Sequence, residues 1–263
     1  MKNLYFSNSA YGGLHIKEAL ETITQAGINQ IELSVGTKVD ENTPALLSGY
    51  SKAGVQFLIH HNSPINGKSN FVNLCDRVPE EYFRQVFEFC NLTGTTHYSI
   101  HGGNYSRDSV SKASAFENYC ARFAEADKIA QEYNIKLAVE TMYPTISGNQ
   151  HVLADMQEIE FFQSIFPDAG MVLDCAHIKI QKHYGTADDS IIRWLLDNPN
   201  LVEIHISEND GRSDRHTPVL KNSWFWGAIK ERPNVPVVIE GKLNKLGSEA
   251  IRENYDMVGE MLS

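Results

Sequence analysis

Residues 170–177 read GMVLDCAH, an apolar run that stops at a carboxylate, Asp174, with an imidazole, His177, three residues further on. A short hydrophobic run without polar alternation fits a strand buried on both faces, as in a parallel sheet covered by helices. The same punctuation recurs along the chain. FLIHH runs into His60 and His61, HYSIH ends at His101, LAVE at Glu140, VEIH at His205 and PVVIE at Glu240.

Eight segments carry this strand character: Leu4 to Ser7, Gln30 to Ser34, Val55 to His60, Thr96 to His101, Ile135 to Glu140, Gly170 to Asp174, Val202 to Ile206, and Val235 to Glu240. Between them lie stretches with helical spacing. From Ser111 to Tyr133 the residues Ala115, Phe116, Tyr119, Phe123, Ala126 and Ile129 repeat at intervals of three and four, which buries one face of a helix. Similar segments run over Ile16 to Ala26, Glu80 to Leu92, Ala154 to Ile165, Asp188 to Leu196 and Ser248 to Met261. This alternation belongs to βα units around a parallel sheet. In an open sheet only the strands at a switch point reach a ligand, whereas here ionisable residues end strands three through eight. A circular arrangement accounts for that, so the expected fold is α/β, a (β/α)8 or TIM barrel, with residues 1–263 as one domain.

The length of 263 residues suits that fold, which typically takes about 250. With 42% hydrophobic and 21% charged residues the composition is that of a globular chain with a sizeable core, which excludes disorder. Met1 to Ile16 holds no apolar stretch of signal-peptide length and no run approaches a membrane span, so a cytoplasmic location without a membrane partner is expected. Cys75, Cys90, Cys120 and Cys175 form no CxxC pair and read as buried thiols. A net charge of −10 argues against a nucleic-acid surface, although bound divalent cations would offset part of it. A monomer or dimer is expected.

Glu140, Asp174, His205 and Glu240 each close an apolar strand. An ionised carboxylate buried without a partner is costly, so a metal or a cationic neighbour is expected for each, and four such ends on four strands can surround one divalent ion. His61 and His101 extend the pattern with neutral imidazole, the commonest zinc ligand, and Gly102 and Gly103 permit close backbone approach after His101. Of the neighbours His60 and His61, only one can face the barrel axis at that height. His177, Asp214 and His216 are placed to hold a further ion, with Arg215 free to meet an anionic substrate group. His15, His97, His151 and His183 read as structural, and Trp224-Phe225-Trp226 reads as core before it reads as a stacking platform.

The ordered set HNS at His61, FVNL, HGG at His101, VET at Glu140, LDCAH from Leu173, HIS at His205, DRH at Asp214 and IEG at Glu240 resembles the endonuclease IV family of apurinic endonucleases, within the xylose isomerase-like barrels. The resemblance spans nearly the whole sequence and selects His61 over His60. It implies a trinuclear zinc site. His61, His101 and Glu140 would hold one ion, and Glu140 would bridge to a second held by Asp174, His205 and Glu240. His177, Asp214 and His216 would bind the third. Paired ions activate water near neutral pH, bind the nonbridging oxygens of a phosphoester and stabilise the leaving oxygen. Glu140 and Glu240 are the expected catalytic carboxylates, Arg215, Lys242 and Asn62 the expected substrate contacts, and Asn62 or Glu203 would fix ligand tautomers.

The chain also departs from the DNA-cleaving members. PINGKSN, residues 64–70, stands where they carry a shorter turn with a duplex-opening aromatic residue, and no loop concentrates arginine or lysine. HHNSP followed by FVNL is similar to sugar phosphate isomerase and epimerase barrels as well. The first expectation is therefore a zinc-dependent hydrolase of phosphoester-type bonds whose substrate is a small phosphorylated or sugar metabolite rather than abasic DNA. The alternative is a sugar or sugar-phosphate isomerase or epimerase with a single Mn, Mg or Co ion at Glu140, Asp174, His205 and Glu240, the two glutamates moving a proton beside a carbonyl.

Overall fold

A computed structural model describes residues 3–11, 13–61, 63–65, 68–70, 72–146, 148–231, 234–242 and 247–263. Eight parallel strands close on themselves: β1 (Leu4–Ser7), β2 (Gln30–Leu33), β3 (Gln56–His60), β4 (His97–Ile100), β5 (Lys136–Glu140), β6 (Gly170–Asp174), β7 (Leu201–Ile206) and β8 (Val237–Ile239). Closure is made by β1 against β8, with Leu4 opposite Val237 and Phe6 opposite Ile239. The protein is an eight-stranded (β/α)8 barrel, as its strand spacing implies.

Strand residues alternate between two apolar environments. Leu4, Phe6, Phe57, Ile59, Leu137, Val139, Met171, Leu173, Ile204, Ile206, Val237 and Ile239 join one large core with the surrounding helices. Tyr5, Leu58 and Val238 form a separate small cluster within the barrel. Above it on the same strand parity stand Glu32, His60, Ser99, Glu140, Asp174, Glu203 and His205, all buried. The barrel interior is thus apolar at its floor and ionisable toward the C-terminal mouth.

The long helix Lys112–Glu132 begins where Ser111 accepts a hydrogen bond from the Ser114 amide, and it buries the predicted stripe. Helix Glu80–Thr93 ends on Gly94 at φ 76, the left-handed conformation that glycine adopts without penalty. Two helices lack the expected apolar period. Thr43–Lys52 buries only Thr43 and Leu47, and Cys175–Tyr184 buries a nearly continuous first turn and a half. Within the PINGKSN segment Pro64 and Ile65 and the residues Lys68–Asn70 belong to a short antiparallel ladder that pairs Ser63 with Asn70 and Ile65 with Lys68. Asn62 lies outside the described residues. Among the described residues no helix is long and apolar enough to cross a membrane.

Cys90 and Cys175 are buried and Cys75 and Cys120 half-buried, all four free. Phe225 and Trp226 belong to the core, and the indole N–H of Trp226 donates to the Leu220 carbonyl at 2.8 Å. Phe123, fully buried with ring centroids 4.9 Å from both Phe162 and Phe166, seals the long helix onto its neighbour. Phe123→Ala should lower stability by about 3–5 kcal/mol in denaturant titration while metal content stays at the wild-type level.

Candidate metal centre

Each donor side chain is positioned by a strand end. Glu140 and Asp174 close β5 and β6, His205 lies near the end of β7, and His101 and Glu240 follow β4 and β8 by one residue. Glu140, Asp174, His205 and Glu240 offer ligand atoms that all lie within 4.8 Å of one another, and every one of the four is buried. A second group of the same compactness is His60, His101 and Glu140, which shares Glu140 with the first, and a third is Glu32, His60 and His205.

The histidine at the end of β3 in this second group is His60, not His61, to which the family resemblance assigns the ligand role. Parity explains the difference: Leu58 points into the barrel, so His60 shares its face. Its Nε2 lies 2.9 Å from His101 Nε2 and 3.5 Å from Glu140 Oε2. His61 turns out of the strand at φ 50 and stacks on the His101 ring at 4.0 Å. Its Nδ1 accepts the His101 amide N–H at 3.3 Å, so it braces the neighbouring loop.

Asp174 has two tasks. One oxygen, Oδ1, accepts the His177 amide at 2.7 Å and caps helix Cys175–Tyr184, which sets His177 on the first turn. The other, Oδ2, is buried and has no hydrogen-bond partner. His177, Asp214 and His216 meet in pairs, 3.5 Å from His177 Nε2 to Asp214 Oδ2 and 2.8 Å from His216 Nε2 to the same oxygen. Among the described residues these three are not one of the groups gathered within 4.8 Å.

The far nitrogens of the histidines decide where their lone pairs point. His60 Nδ1 is 3.0 Å from Ser99 Oγ, and that hydroxyl donates to Glu203 Oε2 at 3.1 Å, so the His60 Nδ1–H donates and Nε2 is left bare toward Glu140. His177 Nδ1 donates to the Thr141 carbonyl at 2.8 Å, leaving Nε2 toward Asp214. Oxygen partners on the outer nitrogen are how proteins orient metal-binding imidazole. Buried atoms without hydrogen-bond partners accumulate at the same place: Glu140 Oε2, Asp174 Oδ2, Asp214 Oδ1 and His216 Nδ1. Unpaired buried polar atoms are expensive, and divalent cations would satisfy this set.

Electrostatics point the same way. Burial pushes the Glu240 carboxyl up to about 8, with Glu32 and Asp174 adding to the push against His205 and His216. Burial likewise raises Glu140, opposed by His177 and His205. For His205 and His177 burial acts downward, but the surrounding carboxylates outweigh it and raise both well above the ordinary range. His216 rises to about 9 despite burial, through its hydrogen bond to Asp214 and the charge of Glu240. Without a cation Glu140, His177, His205, His216 and Glu240 hold protons more tightly than free side chains, whereas burial and neighbouring imidazoles push His60 and His101 down.

A cavity of about 420 Å³ opens above these residues, and His60, His101, Glu140, His177, Asp214, His216 and Glu240 form its floor. Its walls include Ser9, Gly36, Met142, Tyr143 and His151, with Lys242 at the rim. His151, read from the sequence as structural, lines the space beside Tyr143 with its ring pushed down to about 4 by burial. Arg215 is turned away, to Asp210 at 3.3 Å and Ser213 at 3.1 Å, and does not line the cavity. Glu32, absent from the sequence reading, is fully buried 3.0 Å from His205 Nε2. A lone carboxylate of inward parity inside QIEL was its only signal.

A barrel with this mouth defines a known class. The chain belongs to the xylose isomerase-like TIM barrel family, which it matches over residues 20–256. No curated protein matches it by sequence. A D-tagatose 3-epimerase-like protein superimposes with a TM-score of 0.73 at 16% identity, over 99% of this chain and 100% of the other. The IOLI protein, solved with a zinc atom, gives 0.69 at 15% identity over 99% and 98%. An AP endonuclease, family 2, from Brucella melitensis gives 0.68 at 13% over 95% and 96%. At these identities the likeness is one of fold.

Gly102 lets the loop after β4 pass the other wall: a Cβ there would lie 2.1 Å from the Val152 carbonyl oxygen and 2.8 Å from Met142 Cγ. Gly102→Ala should therefore cost about 1–3 kcal/mol in thermal or urea unfolding, since backbone must move. A pH dependence follows from the stored protons. Raised groups stabilise the fold most at low pH and lose that contribution as pH climbs through their folded values, about 8 for Glu240 and about 9 for His216. Chelator-treated protein should melt at falling temperature as pH rises from the ordinary histidine value of about 6.5 to about 9, above the range in which the lowered His60, His61 and His101 act in the opposite sense, whereas saturating zinc, which displaces the protons, should hold the midpoint up.

Proposed function

We propose that this chain is a divalent-metal-dependent hydrolase of phosphoester-type bonds that acts on a small phosphorylated or sugar metabolite. The observation that carries the reading is the sharing of Glu140 between two compact donor groups, His60–His101–Glu140 and Glu140–Asp174–His205–Glu240. A single-ion barrel has no use for the first group. His177, Asp214 and His216 are the proposed holders of a third ion. Bound zinc in such an arrangement supplies an activated water and charge for the phosphoryl oxygens.

The protein's own groups do the rest. Glu140, between the two donor sets, aligns the attacking water. Glu240, deprotonated once it holds an ion, is the second proposed catalytic carboxylate. Lys242 at the rim offers the cation for a phosphate, the role that the orientation of Arg215 leaves to it. Met142, Tyr143 and His151 wall off water on one side. A cavity of about 420 Å³ lies within the roughly 300–1,000 Å³ range of small-molecule sites. A net charge of −10 disfavours a DNA duplex. Four free cysteines accord with the cytoplasm.

A second reading is favoured by a different observation, the fully buried quartet of Glu140, Asp174, His205 and Glu240. One Mn, Mg or Co ion there, with Glu140 and Glu240 exchanging a proton at the carbon beside a carbonyl, would make a sugar or sugar-phosphate isomerase or epimerase.

Metal quantification and a panel of sugar phosphates separate the two. The hydrolase should carry about three zinc equivalents per chain, release inorganic phosphate and lose turnover by roughly 100-fold or more in His101→Ala, which removes a ligand outside the quartet. One manganese equivalent, solvent deuterium entering the sugar without phosphate release, and full activity in His101→Ala would establish the isomerase instead. Nicking of an abasic duplex would return DNA to consideration.

A further inference from the structure

Beneath the upper donors lies a second layer of buried carboxylates, Glu203 and Glu32, the latter offering an oxygen within 4.8 Å of ligand atoms of His60 and His205. Glu203 is fully buried, and its Oε2 is engaged by the Ser99 hydroxyl at 3.1 Å and by His97 Nε2 at 3.2 Å. Glu32, equally buried on β2, has neither carboxylate oxygen in a hydrogen bond. A carboxylate in that condition is costly unless a donor is directed at it in the working state of the protein.

His205 identifies the donor. Its Nδ1 faces the upper carboxylates, 3.2 Å from Glu140 Oε1 and 3.6 Å from Glu240 Oε2. Its Nε2 faces the lower pair, 3.0 Å from Glu32 Oε2 and 3.6 Å from Glu203 Oε1. Nε2 too has no hydrogen bond as the side chains stand, although Glu32 is within reach. A neutral imidazole has one N–H. When Nδ1 is given to a cation, that hydrogen can reside only on Nε2, and the nearest acceptor is Glu32.

We infer that Glu32 is a positioning residue that takes the Nε2–H of His205, fixing its tautomer and ring orientation so that Nδ1 binds the divalent ion of the Glu140–Asp174–His205–Glu240 group. In this role Glu32 is a partner of the imidazole and not of the ion, although it also stands among the compact donor groups with His60 and His205. It acts through His205, and the inference rests on the metal part of the proposed function, not on which bond is broken. Removing such an oxygen partner typically weakens a metal site by roughly 10- to 100-fold.

The test compares wild type, Glu32→Gln, which preserves shape but not charge, and Glu32→Ala. Zinc affinity is measured by competition with a chromophoric chelator, and the zinc-loaded proteins are examined by proton NMR with nitrogen correlation for slowly exchanging imidazole N–H signals. Wild type should show a downfield His205 Nε2–H. Glu32→Gln should bind zinc about 10-fold more weakly with that signal moved upfield, and Glu32→Ala about 100-fold more weakly with the signal lost. Equal affinity and an unchanged signal in Glu32→Gln would overturn the assignment even if Glu32→Ala fails to fold. Absence of zinc binding by wild type would overturn it together with the metal reading. Zinc binding without any hydrolysis would remove only the proposed reaction, and the affinity contrast would still decide the role of Glu32.

Discussion

Glu140 is held out of water at the meeting point of four imidazoles, within 3.1 to 3.6 Å of His60, His101, His177 and His205. Its Oε2 has no hydrogen bond. Taking a carboxylate into that position is costly, and the surrounding architecture compensates. The barrel supplies rigid strand ends from six directions, and the oxygens of Ser99 and Thr141 turn histidine lone pairs inward. Such a centre favours cations because its atoms lack other partners, and it favours rising pH because its protons must leave first.

Where strands end was legible because an apolar run broken by a single ionisable residue marks one place, the C-terminal mouth of the barrel. The inward parity was harder to see. In FLIHH every residue before the histidines is apolar, so the sequence contains no alternation to show that Leu58 faces in, and hence that His60 does. Family likeness pointed to the adjacent residue, which the fold uses as a brace for His101.

Glu32 was missed for a related reason. A carboxylate inside a short strand reads as the solvent face of a sheet, and only closure of the barrel removes that solvent. The helix Cys175–Tyr184 was missed because its first turns are buried almost without interruption and show no helical period. Asp174 caps it through one oxygen, so a side chain read as a ligand is also the signal that begins a helix. Arg215 shows the limit of spacing arguments: its neighbours Asp214 and His216 do reach the mouth, while its own long side chain follows Asp210 outward.

The loops after β4 and β5 are joined by a small antiparallel ladder in which Asn104 pairs with His151 and Ser106 with Asn149. The Val152 amide also donates to the Gly103 carbonyl at 2.7 Å. Two walls of the vestibule are thereby fastened into one panel that carries His151. Ser9, Gly36 and Lys242 line the same cavity from the ends of β1, β2 and β8, across the barrel from that panel, so the chamber has one wall tied by backbone pairing and faces it with separate loops.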